Sequence, residues 1–115
     1  MKPHRKERLE HIFRDDLTEA FRELKDPRLG FMTLSEVSLT DDLRHLKVSV
    51  SVIGTPAEKR DTLAALNSAR GYVHKFLSQR IDLRFLPEVH FSLDVRFEQA
   101  EKVFQILRKI HKEDE

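Results

Sequence analysis

Asn67-Ser68-Ala69-Arg70-Gly71, inside the longer stretch Leu63–Arg80, decides how this 115-residue chain is read. Leu63, Leu66, Ala69, Val73, Phe76 and Leu77 keep the spacing of one buried helical face on both sides of the glycine. Glycine in a helix interior costs about 1 kcal/mol against alanine. Gly71 therefore marks an interruption with a reason, and the stretch predicts two helices meeting at a kink near it. Two reasons stand open. The missing Cβ can let a phosphate backbone come close, with Arg70, Lys75, Arg80 and Arg84 around it. It can equally admit a neighbouring strand or helix.

Working outward from the kink, Gly54-Thr55-Pro56 opens the first of these helices. Thr55 is a cap, Pro56 suits the first helical position, and Glu58 stands three residues after the cap. Before it, Leu46–Ile53 alternates cleanly, with Leu46, Val48, Val50 and Val52 on one face and Lys47, Ser49 and Ser51 on the other. Phe31–Leu39 mixes the two characters, and Thr40-Asp41-Asp42 supplies a turn, so the pair predicts a hairpin. The first helix is expected from about Arg5 to Lys25, on the stripe Leu9, Ile12, Phe13, Leu17, Ala20, Phe21 and Leu24. Asp26-Pro27 ends it, because the residue before proline is pushed out of the α region.

After the kink, Leu86-Pro87 interrupts the chain and a third strand follows, with Val89, Phe91, Leu93 and Val95 on its apolar face. A last helix is expected from about Phe97 to His111, burying Phe97, Ala100, Val103, Phe104, Leu107 and Ile110. The expectation is an α+β fold of order α-β-β-α(kink)α-β-α. All helices lie on one face of a three-stranded sheet, and the other face is wet. It is one domain over residues 1–115, with a structured core of about 5–111 between short charged termini.

Composition narrows function more by exclusion than by assertion. Apolar residues make up 39%, enough for a core, and no run is long enough to span a membrane. Cysteine is absent, which excludes disulfides, thiolate metal sites and cysteine nucleophiles and fits a cytoplasmic protein. The net charge is only +1, from 21 basic and 20 acidic residues, so distribution matters more than sum. Arg70, Lys75, Arg80 and Arg84 face a single acid, Asp82, whereas Asp15, Asp16, Glu19 and Glu23 gather on the first helix. Those acids read as its solvated face.

The side chains capable of chemistry have plainer readings. Asp41-Asp42 sits in a turn, where backbone capping is the common use of a carboxylate. His4, His11, His45, His74, His90 and His111 are scattered, with no pair at a ligand spacing. Tyr72 can stack on a base or pack on the sheet. The eight phenylalanines fall mostly on apolar faces and read as core. No nucleophile with a base, phosphate-cradling loop or cofactor fingerprint is present. Catalysis, a metal, a cofactor and a small-molecule substrate are not expected.

The layout resembles the type II KH fold, whose usual clamp on nucleic acid is a Gly-x-x-Gly loop. Gly30, Gly54 and Gly71 are not so spaced. The closer resemblance is to the ribosome-binding factor A family, in which an Ala-x-Gly kink takes that loop's place, here Ala69-Arg70-Gly71. Asp26-Pro27-Arg28-Leu29, Thr33, Val37-Ser38, Asp42-Leu43, Val48–Val52, Arg80-Ile81-Asp82-Leu83-Arg84, Pro87, Phe91 and Asp94 match in order and spacing, as do Arg5, Arg8 and Ile12. Leu46, Arg96 and Ala100 depart from the pattern. They stand where a small residue, a serine and a glycine are usual.

One core accounts for the apolar faces, so a monomer is expected. The resemblance implies a non-enzymatic assembly factor that binds immature small ribosomal subunits and their rRNA. It implies help with late rRNA maturation, importance in the cold, and a GTPase assembly factor as release partner. Its RNA-binding residues would be Ala69, Arg70, Gly71, Lys75, Arg80 and Arg84, with Arg28, Arg5 and Arg8 behind them. The alternative for each arginine is a surface ion pair, Arg84 with Asp82 or Arg80 with Glu88. The alternative for the protein is a KH-like protein–protein interaction module without direct RNA binding.

Overall fold

The clean alternation of Leu46–Ile53 makes it the centre of the molecule. In the computed structural model, which describes residues 4–96, 102–103 and 106–110, this segment is β2 (His45–Ile53). It lies between β1 (Phe31–Leu39), antiparallel to it, and β3 (Glu88–Leu93), parallel to it. A parallel neighbour needs a crossover. Here α2 (Pro56–Ser68) and α3 (Arg70–Arg80) make it, while α1 (Arg5–Glu23) precedes the hairpin. Residues 102–103 and 106–110 after β3 are helical. No helix among the described residues is long and apolar enough to cross a membrane.

The core lies on one face of the sheet. Leu46, Val48 and Val89 meet Phe13 and Leu17 of α1 and Val73 and Leu77 of α3, all fully or almost fully buried. Val50 and Val52 meet Leu66 of α2. Leu46, the larger residue at a position where the family pattern has a small one, is wholly inside this core.

A bulge accounts for the mixed polarity of β1. Leu34 pairs with Val50 and Glu36 with Ser49, so Ser35 is the extra residue. It shifts the alternation by one. Met32, Leu34, Val37 and Leu39 thereby all stand opposite the inward residues of β2. Without the bulge, Val37 and Leu39 would turn to the polar face.

Several expectations need correction. α1 stops at Glu23 rather than Lys25, with Leu24 already extended at φ −72°, ψ 131°. Val95 lies beyond β3 and is exposed. Val103, Leu107 and Ile110 are 50–58% exposed rather than buried. The reason is space: α1, α2 and α3 already fill the apolar face of the sheet, and the other face is lined by His45, Lys47, Ser49, Ser51, His90 and Ser92. Phe97, Ala100 and Phe104 lie outside the described residues. Phe31 and Phe85 are not core either. Phe31 is 83% exposed, opposite an exposed Ile53 at the sheet's outer corner, and Phe85 is 79% exposed.

Local chemistry sets the joints as the sequence indicates. Thr55 and Glu58 form the reciprocal capping box, with Pro56 at the helix start. In the hairpin turn the Asp42 carboxylate accepts from the Thr40 hydroxyl at 2.6 Å and the Arg44 N–H at 3.0 Å. These bonds hold Leu43 at φ 62° while its side chain packs on the core. Asp41 instead reaches Lys6 of α1 at 3.0 Å.

Thr62, fully buried in α2, ties the chain before β1 to that helix. Its hydroxyl donates to the Glu58 carbonyl at 2.9 Å and accepts from the Gly30 N–H at 3.1 Å. Thr62→Val keeps the shape and removes both bonds. We expect a loss of about 1 kcal/mol in urea unfolding, and an unchanged midpoint would show that the tie contributes nothing.

Candidate nucleic-acid interface

The kink is one residue wide and falls at Ala69, not at Gly71. Ala69 has φ −88° and ψ 3° and serves as both the end of α2 and the start of α3. Its N–H is shared by the Ala65 and Leu66 carbonyls, and its own carbonyl accepts from Val73 at 2.9 Å. No side chain caps the start of α3. The first turn of α3 holds no acidic residue of its own.

Gly71 sits in the first turn of α3, exposed, with no positive φ. Among the described residues, a Cβ added there meets no heavy atom within 4 Å apart from the backbone of its own helix. The neighbouring-strand explanation for this glycine is thus removed. Nothing within the described fold requires position 71 to lack a side chain, and the space above it is open.

The candidate cations fall into separate groups. Arg70 and Lys75 are exposed beside Gly71, and among the described residues neither has a carboxylate at ion-pair distance. Lys75 follows Gly71 by four residues and so shares its helical face. Arg80, ten residues beyond Arg70 and about 15 Å along the helix, is engaged with Glu19 of α1 and lies 4.4 Å over the Phe76 ring. The anticipated pairs Arg80–Glu88 and Arg84–Asp82 are not formed. Arg84 lies 5.5 Å over Phe85. With Arg5 and Arg44 it rims a cleft of about 510 Å³ at the other end of α3 from the kink. Arg8 is exposed on α1.

Arg28 is clamped by Asp26, Nη2 to Oδ2 at 2.7 Å and Nε to Oδ1 at 3.1 Å. Those bonds and the Arg28 backbone N–H hold the Asp26 carboxyl at about 2, below its ordinary 3.8. A depressed carboxylate stabilises the fold above its unfolded value and loses that contribution as pH falls through its folded value. An NMR titration should therefore give Asp26 a midpoint near 2 in wild type and a higher one in Arg28→Ala, still below 3.8 because the backbone N–H of residue 28 keeps its bond. Coincident midpoints would contradict the clamp.

The acids of α1 are not merely a solvated face. Glu19 holds Arg80, Glu23 accepts from the Tyr72 hydroxyl at 2.6 Å, and burial pushes the Asp16 carboxyl up. They brace α3 against α1, Glu19 at Arg80 at its far end and Glu23 at Tyr72 in its first turn. Tyr72 is 45% exposed with its hydroxyl taken, so it is not a core residue.

On the outer sheet face, Arg96 explains one departure from the family pattern. Its guanidinium grips Asp94 at 2.7 Å, and Ser35 in the bulge bonds the same carboxylate. Together they hold it well below the usual carboxylate range. The structure also corrects the reading of the histidines as scattered. His45 and His90 meet across β2 and β3 at 3.0 Å, beside Glu88. They lie 45 residues apart, and only the parallel register of β2 and β3 would have signalled the meeting.

Known proteins arrange these elements in the same way. The family model described as ribosome-binding factor A matches residues 5–107. A ribosome-binding factor A from Thermomicrobium roseum is 40% identical over 98% of this chain and 88% of its own. The solution structure of a Thermotoga maritima protein described as a putative ribosome binding factor A has a TM-score of 0.72 and 40% identity. That match covers 80% of this chain and 90% of the other. A Thermus thermophilus ribosome binding factor A, fitted as a homology model into a cryo-EM map of its complex with the 30S subunit, has a TM-score of 0.65 and 30% identity. It covers 76% and 92% of the two chains. The three-stranded mixed sheet shared with the solved relatives and a match across nearly the whole chain agree, and this chain belongs to the ribosome-binding factor A family, one defined by ribosome binding rather than catalysis.

Proposed function

We propose that this protein binds the small ribosomal subunit and its rRNA through the kink surface formed by Ala69, Arg70, Gly71 and Lys75. The observation that carries the reading is Gly71: the described fold does not need a glycine there, the space above it is open, and among the described residues its exposed neighbours Arg70 and Lys75 have no carboxylate at ion-pair distance. Phosphates suit such a surface, because they are met by charge and by close backbone approach without base reading. Specificity then comes from the folded shape of the rRNA. The complex of the Thermus relative with the 30S subunit supports the partner class.

Arg5 and Arg84, at the other end of α3, and Arg8 on α1 offer further cations, while Arg28 and Arg80 contribute less because each already serves a carboxylate. In this role the protein acts in the cytoplasm on immature subunits, assists late rRNA maturation, matters most in the cold, and leaves with the help of a GTPase assembly factor. A second reading rests on Val103, Ile106, Leu107 and Ile110. These half-exposed residues lie at helical spacing and suit a protein partner. Co-sedimentation with immature and mature small subunits tests the main reading. Salt-sensitive binding to immature subunits is expected, and no binding at low salt would sink it.

A further inference from the structure

The parallel pairing of β2 and β3 sets His45 beside Glu88 and Lys47 beside His90 at one end of the outer sheet face. The two imidazoles converge: His45 Nδ1 and His90 Nε2 are 3.0 Å apart. One carboxylate oxygen of Glu88 lies 3.9 Å from each. The point equidistant from the corners of such a triangle is about 2.1 Å from all three atoms, the bond length zinc makes to imidazole nitrogen and carboxylate oxygen.

The geometry points to a binding site for a divalent late first-row transition ion, zinc being the type, held by His45, His90 and Glu88. The donor set argues for that class. Two imidazoles and a carboxylate suit zinc and its neighbours, whereas magnesium and calcium take oxygen cages. The three side chains are 45%, 43% and 61% exposed, so an ion there has an open path and keeps a coordination position for water. Both nitrogens belong to residues fixed in register by the backbone ladder, with Glu88 N–H donating to the Arg44 carbonyl at 2.8 Å. Convergence of the three donors therefore costs little new ordering. Lys47, on the same face, opposes the ion by charge, which holds affinity below that of a closed structural zinc site. The bound ion joins β3 to the central strand through side chains, in addition to their shared backbone bonds.

The test uses the full-length chain without an affinity tag. Cobalt(II) is the spectroscopic probe, read by its visible absorption, and zinc is measured by competition and by its effect on thermal unfolding. One equivalent should bind. His45→Ala and His90→Ala should each weaken binding at least about 10-fold, while His11→Ala and His74→Ala leave it unchanged. Zinc should raise the melting temperature of wild type and not of His90→Ala. Glu88→Gln, which retains a neutral oxygen, gives a second variant with an intermediate loss. Absence of saturable binding, or binding that survives both His45→Ala and His90→Ala, overturns the site.

Discussion

Arg70→Glu combined with Lys75→Glu should weaken binding to small ribosomal subunits by about 100-fold, from two charge-assisted phosphate contacts of about 1.5 kcal/mol each. Neither residue has a carboxylate partner within the described fold, so the variant should unfold within about 0.5 kcal/mol of wild type. Binding should also lose part of its salt dependence, since fewer counterions are displaced. The contrast is Arg80→Glu. That change puts a carboxylate against Glu19 and strips the cation from Phe76. Its effect should appear in stability first, because the arginine is already engaged between helices. Equal binding losses from the two variants, without a stability difference, would mean that the division into engaged and unengaged cations has no meaning at the ribosome.

Gly71→Ala should move stability and binding in opposite directions. Position 71 is helical, and an added methyl meets nothing within 4 Å. The substitution should therefore stabilise the protein by about 0.4–1 kcal/mol, chiefly by restricting the unfolded chain. Melting should rise by a few degrees, on the order of 2–4 °C. If a phosphate backbone approaches the helix at this point, the same methyl holds it away, and affinity should fall about 10-fold. A more stable protein that binds as well as wild type would leave Gly71 without a functional reason and shift the contact toward Arg5, Arg8 and Arg84.

The sequence carried the fold in its periodicities and caps. β2 announces itself through strict alternation, and Thr55, Pro56 and Glu58 mark the start of α2. What stayed hidden depended on pairing at a distance. The bulge at Ser35 is visible only once Leu34 and Glu36 are set against Val50 and Ser49. Without it β1 reads as noise. The kink was legible in Ala69-Arg70-Gly71, but not that Ala69 rather than the glycine adopts the break, because glycine is the usual helix breaker. The exposure of Val103, Leu107 and Ile110 was hidden because their spacing is that of a buried face. Spacing does not tell whether any strand surface remains to receive it.

The candidate site was legible as a list of basic residues but not as a surface. Sequence offered Arg80 and Arg84 as partners of Glu88 and Asp82, their near neighbours along the chain. The fold instead delivers Glu19 to Arg80 from 61 residues away and stacks Arg84 over Phe85. Which cations remain available at the kink is therefore a property of how α1 packs on α3. Glu19 is spent on Arg80 at the far end of α3 and Glu23 on the Tyr72 hydroxyl, and among the described residues Arg70 and Lys75 are left without a carboxylate partner. His45 and His90 were overlooked for the same reason, since neither is near the other until β3 lies parallel to β2.

The central claim is that the kink, not the outer sheet face, lies against rRNA. Photo-crosslinking from two exposed positions tests it most directly: Ser68, the last residue of α2, and Ser92, on the outer face of β3. Neither is a proposed contact, so the probes leave the surface intact. Bound to immature small subunits, the protein should crosslink rRNA from position 68 and stay at background from position 92. Crosslinks to rRNA from 92 with none from 68 would contradict the account.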